Sequence, residues 1–231
     1  MAQQERGIRS RQSILEAAAH VFDQRGYDAA STTEILARAD LTRGALYHHF
    51  PSKEAIASAL IEAHGEALAV PYREVRLQAA IDLTLGFAHQ LQYDTLLRAS
   101  VRLAVEQSSF TPSARTPYEQ SVAAVSDLLR QAGEQGELLP GTDFQEVAET
   151  IVGSFTGLQV MSQVYSDRRD LLARTSALWR LVLPGLAAPG ILLRLRTTAP
   201  PEVDDAREAP SVAGEDPVQH PDPVHGKTVR S

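Results

Sequence analysis

Thr42-Arg43-Gly44 lies at the centre of the stretch of this chain with the clearest chemistry, residues 31–53, which read STTEILARADLTRGALYHHFPSK. A hydroxyl, a guanidinium and a missing side chain in succession suit the surface of a nucleic acid. Thr42 can cap a helix and meet a phosphate, Arg43 can reach a phosphate or a guanine edge, and Gly44 lets the backbone come close. Tyr47 follows Arg43 by four residues and so shares its helical face. His48, His49 and, past the helix-ending Pro51, Lys53 extend the polar surface. Adjacent histidines point in different directions on a helix and no third ligand stands nearby, so no metal site is expected.

Other reaction chemistry is hard to place. The chain has no cysteine, which removes disulfides, thiolate nucleophiles and thiolate metal sites together. Gly153-Ser154-Phe155-Thr156-Gly157 has the wrong order for a nucleophile elbow, and there is no Gly-x-Gly-x-x-Gly, His-Glu-x-x-His or phosphate loop. The reading is therefore not an enzyme, and no cofactor is expected. No window approaches the roughly 18 apolar residues of a membrane span, and the first residues do not resemble a secretory signal, so a cytoplasmic protein with no membrane partner is expected.

The elements that must position these residues are helices. Ile14, Leu15, Ala18, Val21 and Phe22 recur at three- and four-residue steps and predict a helix over 8–25, stopped by Gly26. Ser31 can cap a short helix over 32–39, with Glu34 placed to complete a capping box. After a tight turn at Asp40 and Leu41, Thr42 caps a second short helix through about His49. Two short helices on a tight turn have the form of a helix-turn-helix, whose second helix is expected to enter the major groove. Ala45, Leu46 and Phe50 are its core positions. Ser52 begins a longer helix over 53–68, with Ile56, Leu60 and Ile61 inward. Helices are further predicted over 72–92, 95–107, 117–135, 143–165 and 170–183, and a short helix or packed extension over 190–196. The prolines and acids of 199–231 leave too little apolar surface to offset ordering entropy, so that tail is expected to be disordered. Three segments result: a DNA-binding head over 1–52, a helical body over 53–198, and the tail.

The formal net charge of -7 permits this reading once it is divided along the chain. The last 32 residues carry seven acids against Arg207, Lys227 and Arg230, whereas residues 1–53 carry seven Arg and Lys against six acids. Affinity for DNA draws on local cations, so a small basic face can coexist with an acidic body. Arg6, Arg9 and Arg11 read as an arm on the DNA backbone or as solvated charge.

The stretch 31–53, the helix before it and the Ser-Lys-Glu after it resemble the TetR family. The resemblance implies an all-α fold: a three-helix head plus a helical ligand-binding and dimerisation body. It implies a homodimeric repressor that leaves a palindromic double-stranded operator when a small-molecule inducer binds. By resemblance Tyr47 and His49 contact the DNA backbone, Thr33 does so from the preceding helix, and Lys53 binds phosphate at the next helix N-terminus. His48 stands where an aromatic residue is often found, and its role is open between packing, phosphate contact and base contact.

Phe22-Asp23, Arg25-Gly26-Tyr27, Pro117-Tyr118, Ser154-Phe155-Thr156-Gly157 and Trp179 further resemble the actinobacterial gamma-butyrolactone autoregulator receptors and their pseudo-receptor relatives, which control secondary metabolism. Receptors of that group commonly carry a tryptophan where this chain has Ser121. That departure implies a larger ligand, an antibiotic or its intermediate, or a furan or butenolide signal. Apolar cavity walls are expected from Phe87, Leu91, Val101, Val105, Tyr118, Val122, Val125 and Phe155, with Thr84, Gln90, Ser121, Thr156 and Gln159 as polar fixtures. Leu158, Val160, Met161, Val164, Leu178, Trp179, Leu181 and Val182 carry more apolar surface than one face can bury, and a twofold four-helix interface would absorb it.

Overall fold

A computed structural model of the chain describes residues 2–62, 68, 70–106 and 115–198. The tail at 199–231 and most of the far end of the 53–68 helix lie outside the described residues.

Helix α1 (Ala2–Ala29) is longer than its apolar stripe predicts, because residues 2–7, which carry no large apolar side chain, continue the helix. Gly26 breaks it as expected, with φ 77 and ψ 178, and one more turn follows. Ser31 then caps α2 (Thr32–Ala39): its Oγ accepts from Glu34 N at 3.1 Å. The Glu34 carboxylate lies 3.4 Å from Arg25. Asp40 closes α2 in the left-handed region, φ 52, and donates its N–H to Leu36 O. Thr42 caps α3 (Arg43–His49), its Oγ1 accepting from Ala45 N at 3.3 Å. Ser52 does the same for Ala55 N at 3.2 Å at the start of α4 (Lys53–Glu62). Each of these starts is a local signal that the sequence carries in plain view.

The body follows as α5 (Arg76–Tyr93), α6 (Thr95–Glu106), α7 (Thr116–Glu134), α8 (Phe144–Ser166) and α9 (Leu171–Val182). A 3-10 turn at Leu183–Gly185 and a single turn α10 (Pro189–Leu192) complete it. Helix α5 is buried on most of its circumference, from Leu77 to Leu91, which makes it the central post of the body. Leu138 and Ala187 pair in an isolated antiparallel bridge, flanked by Leu139 N to Leu186 O at 2.9 Å and Ala188 N to Glu137 O at 2.8 Å. Glu137 is buried, and its carboxylate accepts from Arg76 N at 3.1 Å and Leu77 N at 2.8 Å, capping α5 from a distant turn.

One core joins Ile14, Val21 and Phe22 of α1 with Ile35, Leu46, Phe50, Ile56, Leu60 and Ile61, and it also takes in Ala99 and Leu103 of α6. A second core gathers Leu77, Ile81, Leu85, Leu128, Leu129, Ile151 and Trp179. Trp179 is a correction to the expected subunit face. It is fully buried inside the protomer, because α9 sends its indole inward to α5.

Candidate functional site: an exposed head face and an apolar cavity

Thr33, Thr42, Arg43, Gly44, Tyr47 and His48 are exposed, and His49 and Lys53 are half-buried. The periodicity of α3 explains the split: Leu46 and Phe50 point into the core and the residues between them point out. The Arg43 guanidinium lies 5.9 Å from the Tyr47 ring centroid, so the cation is held over the aromatic face. A β-carbon at Gly44 would meet nothing within 4 Å. Nothing inside the protein requires glycine there. His48 and His49 stand edge to face at 5.1 Å.

Arg6, Arg9 and Arg11 ride on α1 rather than on an extended arm. Arg9 Nε donates to Glu5 O at 3.4 Å, and the Arg11 guanidinium sits 5.2 Å from the Phe50 ring. Lys53 has turned inward. Its Nζ donates to Tyr27 O at 2.8 Å and Ala30 O at 3.1 Å and lies 4.3 Å from the Tyr27 ring centroid. Burial, and then the hydrogen bond to Glu54, push the Tyr27 hydroxyl up to about 12. Glu54 is lowered by its own backbone N–H and by the Ser52 and Tyr27 hydroxyls. These bonds knot the end of α1 to the start of α4.

Between α5, α6, α7 and α8 lies an apolar cavity whose empty space, its open mouth included, is about 640 Å³. Thr84, Phe87, Val101, Tyr118, Ser121, Val125, Phe155, Thr156 and Gln159 line it as expected. Leu68, Leu83, Ala104, Pro117, Ile151 and Val152 line it too, and sequence reasoning missed them. Phe87 and Phe155 meet edge to face at 5.7 Å. Gln90, Leu91, Val105 and Val122 are placed outside the lining. Gln90 is exposed, Leu91 is buried beside Leu97 and Leu171, and Val122 packs against the second core. Val105 is 37 % exposed because the inward positions of α6 are Val101 and Ala104, one helical step away.

Most hydroxyls of the cavity are spent on the fold. Thr84 Oγ1 donates to Ile81 O at 2.9 Å and accepts from Trp179 Nε1 at 2.6 Å. Ser121 Oγ donates to Pro117 O, and Thr156 Oγ1 to Val152 O, both at 2.8 Å. Burial raises the Tyr118 hydroxyl. Gln159 is 2 % exposed and its Oε1 finds no partner among the described residues, which leaves an acceptor for a guest's donor.

Helix α6 separates cavity from head. Val101 and Ala104 face the cavity. On its other side, Arg98 Nε holds Asp23 Oδ2 at 2.8 Å, Arg102 Nη1 donates to Asp23 O at 2.6 Å, and Glu106 Oε2 accepts from Tyr27 N at 2.7 Å. Arg102 and Glu106 pair with each other at 2.7 Å. This clasp was invisible in the sequence, since its partners lie more than 70 residues apart and no local pattern marks them.

A helix-turn-helix head set on a helical body with an apolar cavity defines a class of ligand-binding transcriptional regulators. Residues 14–60 match the family model described as bacterial regulatory proteins, tetR family, and residues 74–188 match the tetracyclin repressor-like C-terminal domain. The chain belongs to the TetR family. It is 37% identical over 196 residues to the A-factor receptor protein of Streptomyces griseus, which covers 85% of this chain and 70% of that one. Among solved structures, full-length native TylP, a TetR regulator from Streptomyces fradiae, superposes with a TM-score of 0.76 at 39% identity, over 88% of this chain and 99% of that one. CprB from Streptomyces coelicolor, solved in complex with its biological operator sequence, gives 0.68 at 30% identity, over 82% and 94%. Among the described residues no helix is long and apolar enough to cross a membrane.

Proposed function

We propose that the protein is a homodimeric repressor of secondary-metabolism genes that holds a palindromic operator and releases it when a small molecule fills the cavity. The carrying observation is the position of α6, which offers Val101 and Ala104 to the cavity and Arg98, Arg102 and Glu106 to the head. A guest that favours a displaced α6 shifts the head by its differential affinity for the two states. Helix α4 provides a second contact with the head through Lys53, and Leu68, beyond its end, touches the cavity.

In this reading Arg43, Tyr47, Thr42, Gly44, His48 and His49 meet DNA from α3, Thr33 from α2 and Arg9 from α1. Arg43 serves either phosphate or guanine. The exposed Val164, Tyr165 and Leu181, at 76, 73 and 82 % exposure, support α8 and α9 as the subunit face. Two heads then occupy successive major grooves about 34 Å apart or a multiple of that spacing. Similarity to the A-factor receptor protein supports a butyrolactone-like or antibiotic-like inducer, and Ser121 on the cavity wall supports one bulkier than a simple lactone.

Gel shifts on DNA upstream of the gene and its neighbours, titrated with gamma-butyrolactones and culture extracts, test the proposal. Release of a sequence-specific complex is expected. A complex that no extract disturbs, or chemical turnover of the added compound, would count against it.

A further inference from the structure

The turn between α8 and α9 is built at a cost. Asp167 and Arg168 both take left-handed backbone angles, φ 52 and 62, which a β-carbon resists. Arg168 is also 2 % exposed, so its guanidinium has lost its water. Its Nη2 donates to Gln163 Oε1 at 2.9 Å, while its Nε has no partner among the described residues. An ordinary helix reversal needs none of this.

The bonds around that turn form a connected series. Gln92, at the end of α5, donates Nε2 to Arg168 O at 2.7 Å and to Arg169 O at 3.4 Å. Its own carbonyl accepts from Arg98 Nη1 at 3.2 Å, and Arg98 Nε holds Asp23 of α1 at 2.8 Å. The order is Gln163 on α8, Arg168 on the turn, Gln92 on α5, Arg98 on α6 and Asp23 in the head. None of the five lines the cavity. A polar strut thus runs from the exposed α8–α9 face to the DNA-reading unit, and it joins the ligand's route only at Arg98 of α6.

We infer that this strut, with Arg168 and Gln92 as positioning residues, fixes the separation of the two heads and so selects the half-site spacing that the dimer accepts. The inference rests on the α8–α9 dimer proposed above. A rigid link between interface and head makes a wrongly spaced palindrome costly, whereas a loosened link lets each head find its groove independently.

The test compares the intact protein with Arg168→Met, which keeps the aliphatic stem, and Gln92→Leu, which keeps volume and removes the bonds to the turn without leaving a buried charge. Each is titrated against synthetic palindromes whose half-site separation is stepped by one base pair, and against DNA carrying a single half-site. Sedimentation and thermal melting establish dimer and fold, and Gln92→Leu carries the test if Arg168→Met does not fold. The intact protein should prefer one spacing by about tenfold over its neighbours. The variants should remain dimeric, keep single half-site affinity within about twofold, and narrow that preference to about threefold or less. A folded, dimeric variant with the original spacing profile, or one weakened equally at every spacing, would overturn the inference. A monomeric intact protein would show itself before any variant is tested, and would remove the dimer reading together with the strut.

Discussion

Trp179 donates its indole N–H to the hydroxyl oxygen of Thr84 at 2.6 Å, joining α9 to α5 at the wall of the cavity. The indole is fully buried, so this bond is its access to a polar partner. Thr84→Val keeps the shape and strands the N–H, and a stranded buried donor costs roughly 1–3 kcal/mol. Urea unfolding should show a loss of that size, with Thr84→Ser close to the original.

Gly26 sits at φ 77 and ψ 178, where an added β-carbon would come within 2.7 Å of Arg102 Nη2 and 2.8 Å of Glu106 Oε1. That backbone region is nearly restricted to glycine, at about 1–3 kcal/mol for other residues. Gly26→Ala should therefore lower the melting temperature. It should also weaken operator binding, because it pushes on the pair that clasps the head. Unchanged melting and binding would show that the kink relaxes freely.

Lys53 and Arg43 should separate in their effects. Lys53 is bonded to two carbonyls of the α1–α2 junction, so Lys53→Ala should destabilise the head by about 1–2 kcal/mol. Arg43 is exposed, and Arg43→Ala should leave stability within about 0.5 kcal/mol. It should weaken operator binding and flatten its salt dependence by about one unit if the contact is to phosphate. Melting curves beside salt-dependent titrations distinguish the two.

Asp170 accepts hydrogen bonds from Ser162, Ser166 and Arg174, and these lower its carboxyl from 3.8 to about 2. A lowered folded-state pKa stabilises above the unfolded value and loses that contribution as pH falls towards the folded one. The stability gap between the original and Asp170→Asn should be full near pH 5 and above, and shrink between about pH 4 and 2. Denaturant midpoints at several pH values would show it. A gap that widens on acidification would exclude this role.

Ser121→Trp should fill cavity space and weaken release by a bulky inducer while leaving operator affinity unchanged, since Ser121 faces the cavity on α7. Loss of operator binding without any ligand would contradict that separation.

The head was legible because its signals are local. Ser31 and Thr42 announce helix starts within three residues of the N–H groups that they cap. Cavity walls were legible only to within one helical step: an apolar pattern marks α6 as amphipathic but does not decide between Ala104 and Val105. Trp179 was assigned to the subunit face for a related reason, since a run of apolar residues does not say which side of α9 meets its own protomer. Arg98, Gln92 and Arg168 gave no signal at all, and Asp23 none of its bonding, because isolated polar residues gain meaning only when distant segments meet.

Glu137 supplies the N-terminal cap of α5 from 60 positions further along the chain. During synthesis, the central post of the body must wait for α7 to leave the ribosome before its first turn is secured. Contacts of such sequence separation slow closure, so the body is assembled late and as a unit. The head is delayed too, because its core includes Ala99 and Leu103. The head core is therefore complete only once α6, the helix that also walls the cavity, has been made.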